Sequence, residues 1–177
     1  MLTFAIVGGT YAYFSWESSS EQRTDVVVSI PNVCSISVDG GGVIDSSTIS
    51  VMPSSCTNTK NAIIKEIKVD ASIQDIGEVV YLDLWLDINN LASELSASNN
   101  FRYALTTSPS SCVEEGMYSG NFNGLNAGNK VSILRKTYNA TTYSETYYLY
   151  IWLDAVETSV ETAGKNFELS LNGNCSN

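Results

Sequence analysis

Residues 80–88 alternate strictly: Val80, Leu82, Leu84, Leu86 and Ile88 are apolar, and Tyr81, Asp83, Trp85 and Asp87 stand between them. On an extended backbone successive side chains point to opposite faces, so this text describes a strand with one face in a core and the other outside it. A helix would scatter the same leucines around its axis. Residues 148–154 repeat the pattern, with Leu149, Ile151 and Leu153 inward and Tyr148, Tyr150, Trp152 and Asp154 outward. Residues 67–73 do so again, with Ile67, Val69, Ala71 and Ile73 opposed to Lys68, Asp70 and Ser72.

Further strands are expected near 24–30, 33–38, 43–51, 101–107, 131–137 and 166–172, where Val, Ile, Thr, Tyr and Ser are plentiful. Gly40-Gly41-Gly42 and the stretch from Gly124 to Gly128 read as turns. Residues 90–98 suit one short helix in a connection, with Leu91, Ala92 and Leu95 as its apolar side. About nine short strands with turns between them predict an all-β, antiparallel, jelly-roll-like sandwich with at most one short helix. The matching text at 81–87 and 148–154 is not a tandem repeat, because the recurring Pro-Ser-Ser-Cys at 53–56 and 109–112 has a different offset. A single domain over 13–177 is expected.

The first residues read differently. An apolar run over 2–14 breaks at Gly8-Gly9 and opens into a polar stretch, with small Thr10 and Ala12 in a peptidase-like spacing. Residues 1–12 are therefore expected to be the remnant of a secretory signal, cleaved between Ala12 and Tyr13. No lysine or arginine precedes Arg23, so the usual charged start is missing, and a buried N-terminal strand through Tyr11-Ala12-Tyr13-Phe14 is the other reading. The run is too short to cross a bilayer, which takes roughly 20 apolar residues, so no membrane span is expected in the mature form.

Charge narrows the partners. Nine Lys and Arg against 19 Asp and Glu give a net charge of −10, which repels nucleic acid and anionic lipid. Histidine is absent, removing the commonest general base and zinc ligand. No Gly-x-Ser-x-Gly elbow or Gly-rich phosphate loop occurs, so no catalytic residue, cofactor or metal is assigned and the chain is not expected to be an enzyme. The four cysteines, Cys34, Cys56, Cys112 and Cys175, form no C-x-x-C pair, and export favours disulfides over a metal site. Three pairings are open. Chain proximity favours Cys34 with Cys56 and Cys112 with Cys175, each adding about 2–4 kcal/mol.

The segment Gly8-Gly9-Thr10-Tyr11-Ala12-Tyr13-Phe14-Ser15 resembles the signal read by the SipW-type peptidase of Gram-positive bacteria, whose clients are the TasA and camelysin family. The body, with its strand at 148–154, the Asn-Phe-Glu-Leu-Ser-Leu strand at 166–171 and the late Cys175, looks like a group of small secreted proteins. The resemblance implies a jelly-roll subunit of an extracellular matrix fibre or cell surface. In it the segment behind the signal, here 13–30 with Val26, Val27, Val28 and Ile30, adds as a strand to a neighbouring subunit. Physics permits this, because an added strand satisfies an exposed sheet edge with backbone hydrogen bonds. Pairing of residues 26–30 within their own subunit is the alternative. The metallopeptidase activity described for camelysins does not carry over to a chain without histidine.

Tyr81, Trp85, Tyr148, Tyr150 and Trp152 would form one outward aromatic stripe if the two Trp-Leu-Asp strands were neighbours. Such a stripe suits a subunit interface or stacking on polysaccharide, unless the chain's own loop, near 108–128, covers it. Asp83, Asp87 and Asp154 would then share that face, where carboxylates suit a glycosidase pair or, as hard oxygens, calcium. Surface solubility explains them as well. The expected role is that of a secreted structural or adhesive subunit that self-associates, with a carbohydrate-binding module as the alternative.

Overall fold

The computed structural model describes residues 26–30, 34–46, 53–56, 61–72, 79–112, 118–139, 142–155 and 162–176. The expected signal remnant at 1–12, its boundary at Ala12 and Tyr13, and residues 13–25 of the donor segment lie outside these. In chain order the elements are β1 (Val26–Ile30), β2 (Cys34–Val38), β3 (Val43–Asp45), β4 (Pro53–Ser54), β5 (Ile63–Ser72), β6 (Val80–Leu91), α1 (Ser93–Ser96), β7 (Phe101–Thr106), β8 (Tyr118–Asn121), β9 (Lys130–Tyr138), β10 (Thr142–Asp154) and β11 (Phe167–Ser176). They form an all-β sandwich. The larger sheet runs β1-β2-β5-β10-β7-β8, with β4 alongside the end of β10, and the smaller runs β3-β11-β6-β9. All pairings are antiparallel except the short one between β4 and β10.

The arrangement is jelly-roll-like in that the main connections cross from one sheet to the other. Gly40 and Gly41 make the first crossing, from β2 to β3, with φ of 69° and 78°. A side chain there would force the strained left-handed conformation that only glycine adopts freely. The core follows the alternation: Leu82, Leu84, Leu86 and Ile88 of β6 join Ile67 and Val69 of β5 and Leu149 and Ile151 of β10 in one buried cluster. Each such side chain contributes about 1.5–3 kcal/mol by leaving water. One end of the sandwich is closed by Phe101, Phe122 and Phe167, whose rings lie 4.6 and 5.0 Å from the central Phe101. That end is dry. The opposite end is polar.

The disulfides correct the pairing that chain proximity suggested. Cys34 of β2 joins Cys175 of β11, and Cys56 joins Cys112, with Cα separations of 6.1 and 6.2 Å. Because β2 and β11 face each other from opposite sheets, the first and last cysteines meet, and the two middle ones, Cys56 and Cys112, are left to pair with each other. The first bridge staples one sheet to the other, and the second ties together two segments lying on the outside of the larger sheet. Other boundaries also shift. The helix shrinks to Ser93–Ser96, β3 ends at Asp45, and β8 occupies part of a stretch expected to be loop.

Gly173 marks a tight point of the core. A Cβ there would lie 2.7 Å from Leu84 Cδ2 and 2.8 Å from Ile36 Cδ1, so the two sheets meet over a position with no side chain. Gly173→Val is expected to lower unfolding free energy by about 1–3 kcal/mol through overpacking, read from urea denaturation. Cys34→Ser with Cys175→Ser opens a loop of sequence separation 141. It is expected to cost about 4–5 kcal/mol on the chain-entropy account, more than removal of Cys56 and Cys112, and thermal melting of the two variants ranks them.

Candidate functional site

The five aromatics expected to form one stripe divide between two sheets, because β6 belongs to the smaller sheet and β10 to the larger. Tyr150 and Trp152 are buried, at 0% and 7% exposure. With Ala62, Ala104, Cys56 and Cys112 they make a second apolar cluster on the outer face of the larger sheet, and Tyr148 packs partly against it. The segment after β7 covers them: Tyr150 Oη donates to the Ser108 carbonyl at 3.0 Å, and the Cys56–Cys112 bridge lies among them. Arg102 lies 5.9 Å above the Trp152 ring and pairs with Asp154 at 3.0 Å. This half of the stripe is interior. The cover comes from the start of the loop expected to supply it.

Tyr81 and Trp85 remain outward on the smaller sheet, Tyr81 at 49% exposure and Trp85 half-buried. Trp85 is held in place. Its Nε1 donates to Asp87 Oδ2 at 2.9 Å, and the same oxygen accepts from Asn172 Nδ2 at 2.7 Å. Lys130 Nζ stands 4.4 Å from the centre of the indole ring and 3.8 Å from Asp87 Oδ1. One residue pair away, Arg135 Nε donates to Asp83 Oδ1 at 2.7 Å. The β6–β9 register shifts between Leu84 and Trp85, which turns both Ile133 and Leu134 into the core while keeping Ser132 opposite Trp85. Such bulges re-aim side chains at the point where they occur.

The three aspartates considered for catalysis or calcium are not brought together. Asp83 and Asp87 sit on β6 and Asp154 ends β10 in the other sheet, each in its own ion pair. Among the described residues no group of three or more potential metal-binding side chains forms.

The sheet edges supply the other candidate. β1, which holds Val26, Val27, Val28 and Ile30, pairs antiparallel with β2 of its own chain, from Val26 opposite Val38 to Ile30 opposite Cys34. Among the described residues it has no further strand neighbour, so it is the outermost strand of the larger sheet. On the opposite flank β8 and β9 are tied across the sheets, with Tyr118 Oη donating to the Arg135 carbonyl at 3.3 Å.

A polar cluster that the strand reading did not anticipate fills the mouth between β9 and β10. Lys136 Nζ donates to both carboxylate oxygens of Glu145 at 2.6 and 2.7 Å and to Tyr143 Oη at 2.7 Å. Tyr147 Oη bonds the same carboxylate and lies 3.1 Å from Tyr138 Oη. The signal was there: counting back by twos from inward Leu149 puts Tyr147, Glu145 and Tyr143 on the core side.

Burial, then the neighbouring Glu145 and Tyr143, push the Tyr138 phenol well above its ordinary value. Burial alone would lower the Lys136 ammonium, but hydrogen bonds and charge pairing with Glu145 and Tyr143 outweigh it and hold the ammonium above the usual lysine value. Both groups therefore bind protons more tightly in the folded chain, so their stabilisation is complete at neutral pH and is lost as pH rises above about 10. Tyr138→Phe is expected to make the fall in unfolding free energy above pH ~10 shallower than in the parent, in urea titrations at stepped pH.

No protein-family model and no curated protein matches this chain. Among the described residues no helix is long and apolar enough to cross a membrane. The two disulfides are compatible with an extracellular setting.

Proposed function

We propose that the chain is a secreted bacterial structural subunit, of a matrix fibre or a cell surface, that assembles by β-strand addition. The observation carrying this is the place of β1: among the described residues it is bonded along one side only, to β2. An edge strand of this kind can leave its own sheet and pair with the β2 of another copy, keeping the same five residue pairs. The loss and gain of backbone hydrogen bonds then nearly cancel. The exchange is decided by local concentration and by what precedes β1.

Three features support the reading. The disulfide framework suits export, the absence of histidine removes the usual catalytic groups, and β2 is held by the Cys34–Cys175 bridge independently of β1. An acceptor strand fixed in this way stays in register when its partner departs.

Sedimentation of the chain beginning at residue 13 and of one beginning at residue 31 tests the proposal. High-mass species are expected from the longer chain and a monomer from the shorter. A synthetic peptide covering residues 24–30 is expected to bind the shorter chain in equal proportion. Equal assembly by both chains would defeat the proposal.

A further inference from the structure

We infer that the outer face of the smaller sheet, centred on Trp85, is a binding platform for a neutral pyranose polysaccharide. This goes beyond assembly through β1 and uses none of the same residues. Trp85 lies on β6, with Asn172 of β11 on one side and Ser132 of β9 on the other, so the indole stands in the middle of three strands. The next pairs along are Asp87 with Ser170 and Lys130, and Asp83 with Asn174 and Arg135. One aromatic ring is thus surrounded at strand spacing, about 4.8 Å, by carboxylate, amide and hydroxyl groups. Carbohydrate has this chemistry in complement. An apolar C–H face stacks on a ring, and hydroxyls at the rim both donate and accept.

Two observations separate a site from a solvated face. First, the ring is oriented by a brace that contributes nothing to the core: Asp87 Oδ2 takes hydrogen bonds from Trp85 and Asn172 together, and a bulge stands opposite Trp85. Rigid, preoriented aromatics lose little freedom on binding. Second, the group standing over the half-buried indole is a lysine side chain. Lys130, whose side chain is 57% exposed, reaches over it from solvent and can swing away.

The polarity of the face selects the occupant. Stable protein contacts centre on a fully buried apolar patch. On β6, β9 and β11 the outward positions other than Tyr81 and Trp85 are Asp, Glu, Asn, Ser, Thr, Lys or Arg. That pattern does not suit a second copy of this chain. Asp83 and Asp87 beside the ring are each paired with a cation, Arg135 and Lys130, so the face carries no net charge to draw a charged polymer and suits a neutral one. Outward positions running along three paired strands suit an extended polymer, whereas a small molecule would seek a cleft.

Tryptophan fluorescence titration of the full chain carrying Trp16→Phe with cellohexaose, laminarihexaose and chitohexaose tests this, because of the two tryptophans then left Trp152 is buried and Trp85 reports the outer face. At least one hexasaccharide is expected to shift the emission saturably. Trp85→Ala is expected to weaken binding, followed by calorimetry, at least about tenfold, and Asn172→Ala, which frees the brace, several-fold. Ser132→Arg fills the space beside the ring without touching the brace and is expected to abolish binding even where Trp85→Ala fails to fold. No response to any of the three sugars, or affinity unchanged by Trp85→Ala or Ser132→Arg, would overturn the inference. Sedimentation of the same variants keeps the two proposals apart, since none of them touches β1 or β2.

Discussion

The whole architecture depends on β6 and β10 each turning an aliphatic row toward the other sheet. Leu82, Leu84, Leu86 and Ile88 on one side, with Leu149, Ile151 and Leu153 on the other, make the apolar part of the sandwich, up to the polar cluster around Lys136 and Glu145. With those two strands in different sheets, every connection that joins them must cross the body, and the remaining strands fall in beside them. Gly173 shows how little slack is left. Ile36 and Leu84 close over it from opposite sheets at distances that leave no room for a methyl group.

The two strands then diverge on their second faces. β6 leaves Tyr81, Asp83, Trp85 and Asp87 to the solvent side, where they are organised by hydrogen bonds and ion pairs. β10 leaves Tyr150 and Trp152 under a covering segment fastened by the Cys56–Cys112 bridge. Nearly identical text therefore does opposite work. The difference lies in what comes after β7, a stretch that carries Cys112 and reaches back over the sheet.

This divergence also marks the limit of what the sequence discloses. Alternation in 80–88 and 148–154 reveals strands and their inward residues, because period two follows from backbone geometry alone. It does not reveal which strands are neighbours, so the two tryptophans read as one stripe when they belong to separate sheets. Tyr118-Ser119-Gly120-Asn121 gives no alternation to read. It becomes strand β8 because the free edge of β7 offers a ladder, and Gly120 lets the Tyr103 ring lie against it. The bridges are hidden for the same reason, since only the packing of β2 against β11 brings the first and last cysteines together. Of the Trp85 face, Tyr81, Trp85 and the aspartates were legible. Asn172 and Lys130 were not, since only the pairing of β11 and β9 with β6 brings them in.

One flank of the sandwich is fastened where Tyr118 reaches the Arg135 carbonyl, and the other ends in β1. A body built like this has polarity. A sheet open to main-chain pairing at one edge alone favours a closed two-fold pair over an open row, because a row needs two different joining surfaces on each member.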